Sequence, residues 1–449
     1  MRITILTLGS RGDVQPYVAL ALGLKKAGHK VKFATTPTFK DFVTDFGLDF
    51  APLEGDVRAV LEGELGQTWL ESSGNPIDFF RLYGEIARPL NERQFVDAWE
   101  ACRDAEAIFY APLAFSGYHI AEKLRIPAYV PILQPILRTR EFPNLMTSSE
   151  SRLGGIYNRL TYLAIEQLFW QPFRPQVNEW RKSTLGLPPI PWWGPSWRQY
   201  KNKNTVFCGV SPSIVPKPAD WHENIHMTGY WFLPHPADWQ PPQDLLNFLE
   251  SGEPPVYFGF GSMKGRDPEA LTQTVLAALA KTGRRGILLT GWGGLSDRNL
   301  PDTVFKIDSI PHDWLFPQMA AVVHHGGAGT TAAGLRSGVP SIVAPFFADQ
   351  PFWGKKVAEL GVGPQPIPQS ELTVEALAAA IQTATTDEDM RHRARELGDR
   401  IQAEDGVTAA VEAFERSVSS SIVNHAMCNL FIQNLTTRGN GERGTGNGG

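Results

Sequence analysis

His324-His-Gly-Gly-Ala-Gly-Thr-Thr-Ala-Ala-Gly-Leu-Arg-Ser-Gly-Val-Pro-Ser-Ile-Val-Ala-Pro-Phe-Phe-Ala-Asp-Gln350 is the stretch whose reading settles the architecture. An apolar run, Ala320 to Val323, ends in two histidines and a glycine-rich turn, and a helix-forming segment follows. Strand, glycine turn and helix start together aim backbone N–H groups at an anion such as a diphosphate. Gly326, Gly327, Ala328, Gly329 and Thr330 supply those amides, at a helix end that carries roughly half a positive charge. A second strand, Ser341 to Pro345, then delivers Asp349 and Gln350, a carboxylate and an amide suited to the several hydroxyls of a sugar. Diphosphate with a polyol implies a nucleotide sugar.

Working outward, the same strand–turn–helix grammar recurs on both sides. In the first half, strands are expected at 2–8, 30–35, 107–110, 128–131, 206–210 and 226–229, separated by helices at 16–27, 77–104, 116–124 and 157–183. The second half restarts with strands at 256–259, 286–290 and 303–307, and continues past the opening stretch with helices at 349–360, 372–385, 388–403 and 407–417. This alternation predicts an α/β protein built of two Rossmann-like, doubly wound halves facing one cleft. Residues 234–243 hold four prolines in ten positions and read as a stiff linker. The expected organisation is therefore a first domain over 1–233, the linker, a second domain over 244–405, a helix within 406–433 returning to the first domain, and a disordered Gly-rich tail over 434–449.

Composition narrows the function. The 449 residues are long for one core and ample for two. With 42 Lys plus Arg against 47 Asp plus Glu, no positive field recruits nucleic acid. Cys102, Cys208 and Cys428 are far apart and form no CxxC, which fits a reducing, cytoplasmic setting. Ile3 to Leu8 is too short for a leader peptide's core, and no run of about 18 apolar residues is present to span a membrane. Asp387-Glu-Asp389 superficially matches a metal-binding acidic signature, but it follows two threonines and opens an Arg-rich helix, so we read it as a helix cap and expect no metal.

Asp13 is the candidate general base. A sugar-accepting hydroxyl attacks poorly unless a carboxylate takes its proton as the bond forms, and Asp13 is expected in the loop after the first strand, at the cleft edge where open α/β sheets bind ligands. A cap for the following helix is its alternative role. Gly9, Ser10 and Gly12 let that loop approach the donor phosphates, and Ser10 has a hydroxyl to donate to them. The first half also carries much of the chain's aromatic load, including Trp69, Phe79, Phe80, Tyr83, Trp170, Trp192, Trp193 and Trp197. They suit either a pocket for a rigid polycyclic alcohol or an exposed patch that meets a membrane or a partner.

Gly9-Ser-Arg-Gly-Asp-Val-Gln-Pro16, Phe258-Gly-Phe-Gly-Ser-Met263, Pro311-His-Asp-Trp-Leu-Phe-Pro317 and the opening stretch, in that order, resemble the sterol glucosyltransferases of the UDP-glycosyltransferase superfamily. The resemblance runs from residue 1 to about 415 and implies the GT-B fold. It implies that Asp13 is the base, that Ser262 reaches the β-phosphate, and that Trp292, Ile310 and His312 seat uracil and ribose. It further implies that His324, with His325 as its rival, donates to the diphosphate and offsets charge on departing UDP, and that Asp349 and Gln350 hold the hexose. The implied reaction is inverting, metal-independent glucosyl transfer from UDP-glucose to a lipophilic alcohol, a sterol or triterpenoid. No cofactor beyond that donor is implied, and the chain is expected to act as a monomer, cytoplasmic or peripheral to membranes. Two alternatives stay open: transfer of another UDP- or dTDP-sugar to a macrolide, polyketide or flavonoid, and a nucleotide-sugar-binding protein without turnover.

Overall fold

The computed structural model describes residues 1–55, 63–72, 75–147, 153–201, 204–260, 268–290 and 300–419. Ser262, Trp292, Cys428 and the tail from 434 lie outside these, as does the side chain of Trp197.

Seven strands form the first sheet: β1 Arg2–Leu6, β2 Lys30–Thr35, β3 Asp49–Pro52, β4 Ala107–Tyr110, β5 Ala128–Ile132, β6 Val206–Cys208 and β7 Ile225–Met227. They pair in the order β3-β2-β1-β4-β5-β6-β7, every pair parallel. The second sheet holds β8 Val256–Gly259, β9 Gly286–Leu289, β10 Val304–Ile307, β11 Ala321–His324 and β12 Ser341–Val343, in the order β10-β9-β8-β11-β12, again all parallel. Strands such as Ala107–Tyr110 and Val256–Gly259 are buried at every position because helices cover both faces of a parallel sheet, which is why they read as unbroken apolar runs. Both orders reverse direction once: between β1 and β4 in the first sheet, and between β8 and β11 in the second. At such a point neighbouring loops leave the sheet on opposite faces and open a crevice at the carboxyl ends of the strands. Gly9 to Asp13 follow β1, and the glycine turn follows β11, so both candidate loops stand at reversal points.

Three expectations change. The first helix runs Arg11–Lys26 with Pro16 inside it, so Asp13 lies in its first turn rather than in a loop. Ser10 and Asp13 form a reciprocal cap there, and this moves the helix start ahead of the proline that had suggested it. Asp49–Pro52 adds an edge strand, short, half-exposed and ending in proline, with little apolar signal to announce it. Helix Gln243–Glu250 begins at the end of the proline-rich segment.

Ile3, Val14, Leu20, Phe33 and Phe109 belong to the core on one face of the first sheet. The last described helix, 406–419, packs there too: Phe414 meets Tyr129 at 5.0 Å and Phe109 at 5.2 Å between ring centres. A shared cluster joins the halves, with Ile132, Trp221 and Tyr230 from one and Val343, Phe352, Trp353 and Leu397 from the other. The chain returns to the first sheet at Gly406, where a Cβ would stand 2.4 Å from the Tyr230 carbonyl oxygen, so only glycine permits this close passage. No described helix is long and apolar enough to cross a membrane.

Candidate functional site

The first wall of the site starts at Gly9. Its φ of +133° and a Cβ position 2.4 Å from Asp13 Oδ2 leave room for glycine alone. The turn brings the Ser10 amide to Asp13 Oδ2 at 2.8 Å and the Ser10 hydroxyl to the same oxygen at 2.9 Å, while Thr7 Oγ1 donates to the Asp13 carbonyl at 2.8 Å. Ser10 thus directs its hydroxyl proton at Asp13. Burial raises the Asp13 carboxyl and the two Ser10 bonds partly offset that rise. Tyr83 lies within reach of this charge: burial first, then Asp13, push its phenol up to about 12.

The second wall is the turn after β11. Gly326 takes φ +89°, and a Cβ there would stand 2.7 Å from Val343 Cγ1 and 3.0 Å from the Gln350 carbonyl oxygen. Gly327 caps helix Ala328–Arg336, whose first internal bond runs from the Thr331 amide to the Gly327 carbonyl at 2.9 Å. The amides ahead of Thr331 therefore have no carbonyl to meet within the helix, and Gly329 is exposed.

The histidine doublet divides. His324 is fully enclosed; its Nδ1 accepts the Gly326 amide at 3.0 Å, and its Nε2 lies beneath the helix, near Gly334 and Ser341. Burial pushes it down to about 3, so it is neutral with its proton on Nε2. His325 is only half-buried, its Nε2 lies over Gly327, and its ring bonds to the Gly259 carbonyl at the other side of the reversal point. Its Nδ1 has no partner among the described residues, and burial lowers it to about 4. His312 stacks on Phe316 at 4.2 Å and is lowered to about 4, by burial first and then by Arg11 across the cleft. Ile310 packs beside it in the apolar cluster of Leu315 and Phe316.

Asp349 follows Ala348, whose φ of +56° is a strained value for a residue with a Cβ. It occupies the cap position of helix Gln350–Glu359 without capping it; its Oδ2 accepts the Trp353 indole N–H at 2.8 Å instead. Burial raises its carboxyl to about 6 against the Trp353 bond, Asp13 adds to the rise, and Gln134 of the first half bonds to it. Gln350 is buried, and its Oε1 accepts the amides of Phe346 at 2.8 Å and Phe347 at 3.2 Å, so its carbonyl shapes the loop that carries Asp349.

Aromatic rings fill the first half beside Asp13. Trp69 meets Phe79 at 5.0 Å and Tyr83 at 5.6 Å, Tyr83 stacks on Phe169 at 6.1 Å, and Phe79 reaches Phe347 of the second half at 6.2 Å. Phe80 belongs to this box, whereas Trp170 packs under Gly194 and Trp192 and Trp193 are exposed outside it. Phe169, Phe347 and Gln134 carry no local sequence signal for these contacts, because each meets its partner from an element distant from that partner in the chain. Asp387 caps its helix through a 2.9 Å bond from the Met390 amide, as expected.

Known proteins fit this geometry. Residues 3–143 match the glycosyltransferase family 28 N-terminal domain, and residues 276–415 match the C-terminal domain of the erythromycin biosynthesis protein CIII-like family. The sterol 3-beta-glucosyltransferase of Emericella nidulans is 43% identical over 430 residues, covering 93% of this chain and 30% of the relative. That of Aspergillus clavatus is 42% identical with the same shares. The chain thus spans about 30% of the length of these relatives. Among solved structures, the glycotransferase of kitacinnamycin superposes with a TM-score of 0.69 at 21% identity, covering 92% of this chain and 98% of that one. The calicheamicin glycosyltransferase does so with a TM-score of 0.65 at 18% identity, covering 94% and 98%. With both halves matched by glycosyltransferase family models and the paired parallel sheets shared, the chain has the GT-B glycosyltransferase fold, and in sequence it is similar to the sterol 3-beta-glucosyltransferases.

Proposed function

We propose that the chain transfers glucose from UDP-glucose to the hydroxyl of a lipophilic acceptor, a sterol or triterpenoid, with inversion and without a metal ion. One observation carries this reading: Asp13, in the helix turn after β1, and Asp349, in the loop after β12, come close enough across the cleft that Asp13 raises the Asp349 carboxyl, beside the start of helix Ala328–Arg336. In this reading Asp349 and the amide end of Gln350 hold the hexose, and the amides of 327–330 hold the diphosphate. His312 and Ile310 lie on the uridine side. The acceptor's ring system occupies the box of Trp69, Phe79, Phe80, Tyr83 and Phe169, its hydroxyl next to Asp13.

The reaction then balances as one displacement. The acceptor oxygen forms a bond to the anomeric carbon as the bond from that carbon to the β-phosphate oxygen breaks, and the hydroxyl proton passes to Asp13. Attack from the face opposite UDP gives a β-glycoside. Negative charge appears on UDP, where the helix start and His325 meet it. We assign this contact to His325 rather than His324, because His324 is enclosed with its Nδ1 held by the Gly326 amide, whereas Nδ1 of His325 has no partner among the described residues. The names of the curated relatives support the acceptor class, and the Streptomyces glycosyltransferase complexed with thymidine diphosphate, which superposes at a TM-score of 0.61 and 21% identity over 93% of this chain and 99% of that one, supports a nucleotide diphosphate in this fold. Cys102 and Cys208, both buried thiols pushed up to about 12, suit a reducing compartment.

The deciding experiment incubates the protein with UDP-glucose or dTDP-glucose and a panel of sterols, triterpenoids and flavonoids, reads products by mass spectrometry, and takes the anomeric configuration from proton coupling. A β-glucoside of a polycyclic alcohol, made from UDP-glucose, is expected. Transfer to none of them, or an α-linked product, removes the reading.

A further inference from the structure

Helix Gly154–Trp180 has two apolar faces. Tyr162, Phe173, Val177 and Trp180 on one face are buried, and Phe169 and Phe173 join the aromatic box. At about 100° per residue, Ile156, Leu160, Ala164, Gln167 and Gln171 share a narrow stripe on the opposite side. That stripe is open: Ile156 is 75% exposed, Leu160 55%, and Leu153 just before the helix 68%. Gln167 and Gln171 extend it by tying down a neighbouring loop, donating to the Trp193 carbonyl at 3.0 Å and the Trp192 carbonyl at 2.9 Å. The loop's indoles pack edge to face at 5.0 Å and remain 50% and 62% exposed. Two tryptophans and three aliphatic side chains are thus held outward on a ridge about 22 Å long from Ile156 to Gln171.

Charge singles out the occupant. The chain as a whole is acidic, yet residues 153–165 and 180–198 contain no Asp or Glu, while Arg159 and Lys182 lie within them. Glu166 and Glu179 flank these windows, and Glu166 is paired with Arg138. The stretches that carry the exposed indoles and aliphatic side chains thus hold only basic charge, which suits the phosphates and apolar boundary of a lipid headgroup layer, where tryptophan concentrates because its ring is apolar and its N–H wet.

We propose that this face docks on a phospholipid bilayer, with Trp192, Trp193, Ile156 and Leu160 inserted at the headgroup boundary. The box that takes the acceptor lies on the other side of the same helix, about 10 Å away, so a lipophilic alcohol leaving the bilayer enters next to the dock. The inference about entry rests on the proposed acceptor class; the docking itself does not.

Flotation with phosphatidylcholine vesicles, and with vesicles also holding phosphatidylserine, tests the docking directly. The wild-type chain floats, more so with phosphatidylserine, and the W192S/W193S variant loses at least tenfold in vesicle affinity; I156S/L160S loses affinity independently. Both variants keep transfer to cyclodextrin-delivered sterol within about twofold and lose at least tenfold on vesicle-embedded sterol. The proposal is overturned if the wild type does not float, if the variants float equally well, or if light scattering reveals a dimer that W192S/W193S dissociates, which would assign the face to a second copy. A chain that floats but glucosylates no sterol keeps the dock and loses the proposed acceptor.

Discussion

Trp353 donates its indole N–H to Asp349 at 2.8 Å, so the carboxylate proposed to hold the hexose is aimed by a ring in the seam between the two halves. Burial nevertheless raises that carboxyl to about 6. From about pH 4 to 6 the folded form keeps a proton that the unfolded chain has released, so this group's contribution to stability falls as pH rises through the window and is a net cost above it. Asp349→Asn is therefore expected to melt higher than wild type at pH 7.5, yet to bind UDP-glucose about tenfold more weakly with UDP itself unaffected. Melting curves and calorimetry check both; a lower melting temperature at pH 7.5 would contradict the burial account.

Asp13→Asn removes the proton acceptor and should lower kcat by a factor on the order of 10² to 10⁴, with UDP-glucose affinity unchanged within about threefold. Ser10→Ala is subtler. It deletes one of the two bonds that hold the Asp13 carboxyl down against burial, so the acid limb of the kcat/KM profile moves to higher pH. An unmoved limb would mean that another group titrates there.

The two histidines should separate by readout. His324→Ala strips the Gly326 amide of its acceptor inside the fold and costs about 1–3 kcal/mol of stability. His325→Ala leaves stability nearly intact and weakens UDP. Because free His325 sits near 4, a bound diphosphate raises its pKa, so UDP binding takes up protons and strengthens as pH falls through the raised value toward 4. Calorimetry in buffers of different ionisation enthalpy measures the uptake, and His325→Ala abolishes it; uptake that survives the substitution refutes the assignment.

Gly326 and Gly329 make a matched pair. An alanine at 326 must adopt φ +89° and collide with Val343 and the Gln350 carbonyl, which costs at least about 1–3 kcal/mol. At 329 nothing lies within 4 Å of the added carbon, so Gly329→Ala folds as wild type and loses UDP affinity by crowding the amides. Equal effects of the two on melting temperature would argue against this turn geometry.

Much of this was legible in the sequence. The β4, β8 and β11 stretches announce themselves as buried runs, and the spacing of glycines after β11 identifies the helix start that follows. What the chain does not spell out is direction. Two histidines in succession at a strand end point to different sides, and only the path of the turn decides that His324 goes beneath the helix while His325 turns toward Gly259 and Gly327. The cap between Ser10 and Asp13 outweighed Pro16 in setting the first helix, and contacts such as Phe79 with Phe347 or Gln134 with Asp349 join residues more than 200 positions apart, which no local pattern records.

Each sheet brings its own reversal point, and the chain joins them through a proline-rich passage and the tight return at Gly406. In the proposed reaction, what is accepted and what is donated are thereby inscribed largely on separate lengths of polypeptide. Exchange of one half between relatives would change a single partner in the reaction, provided that the graft preserves the seam where Ile132 and Tyr230 meet Phe352 and Trp353.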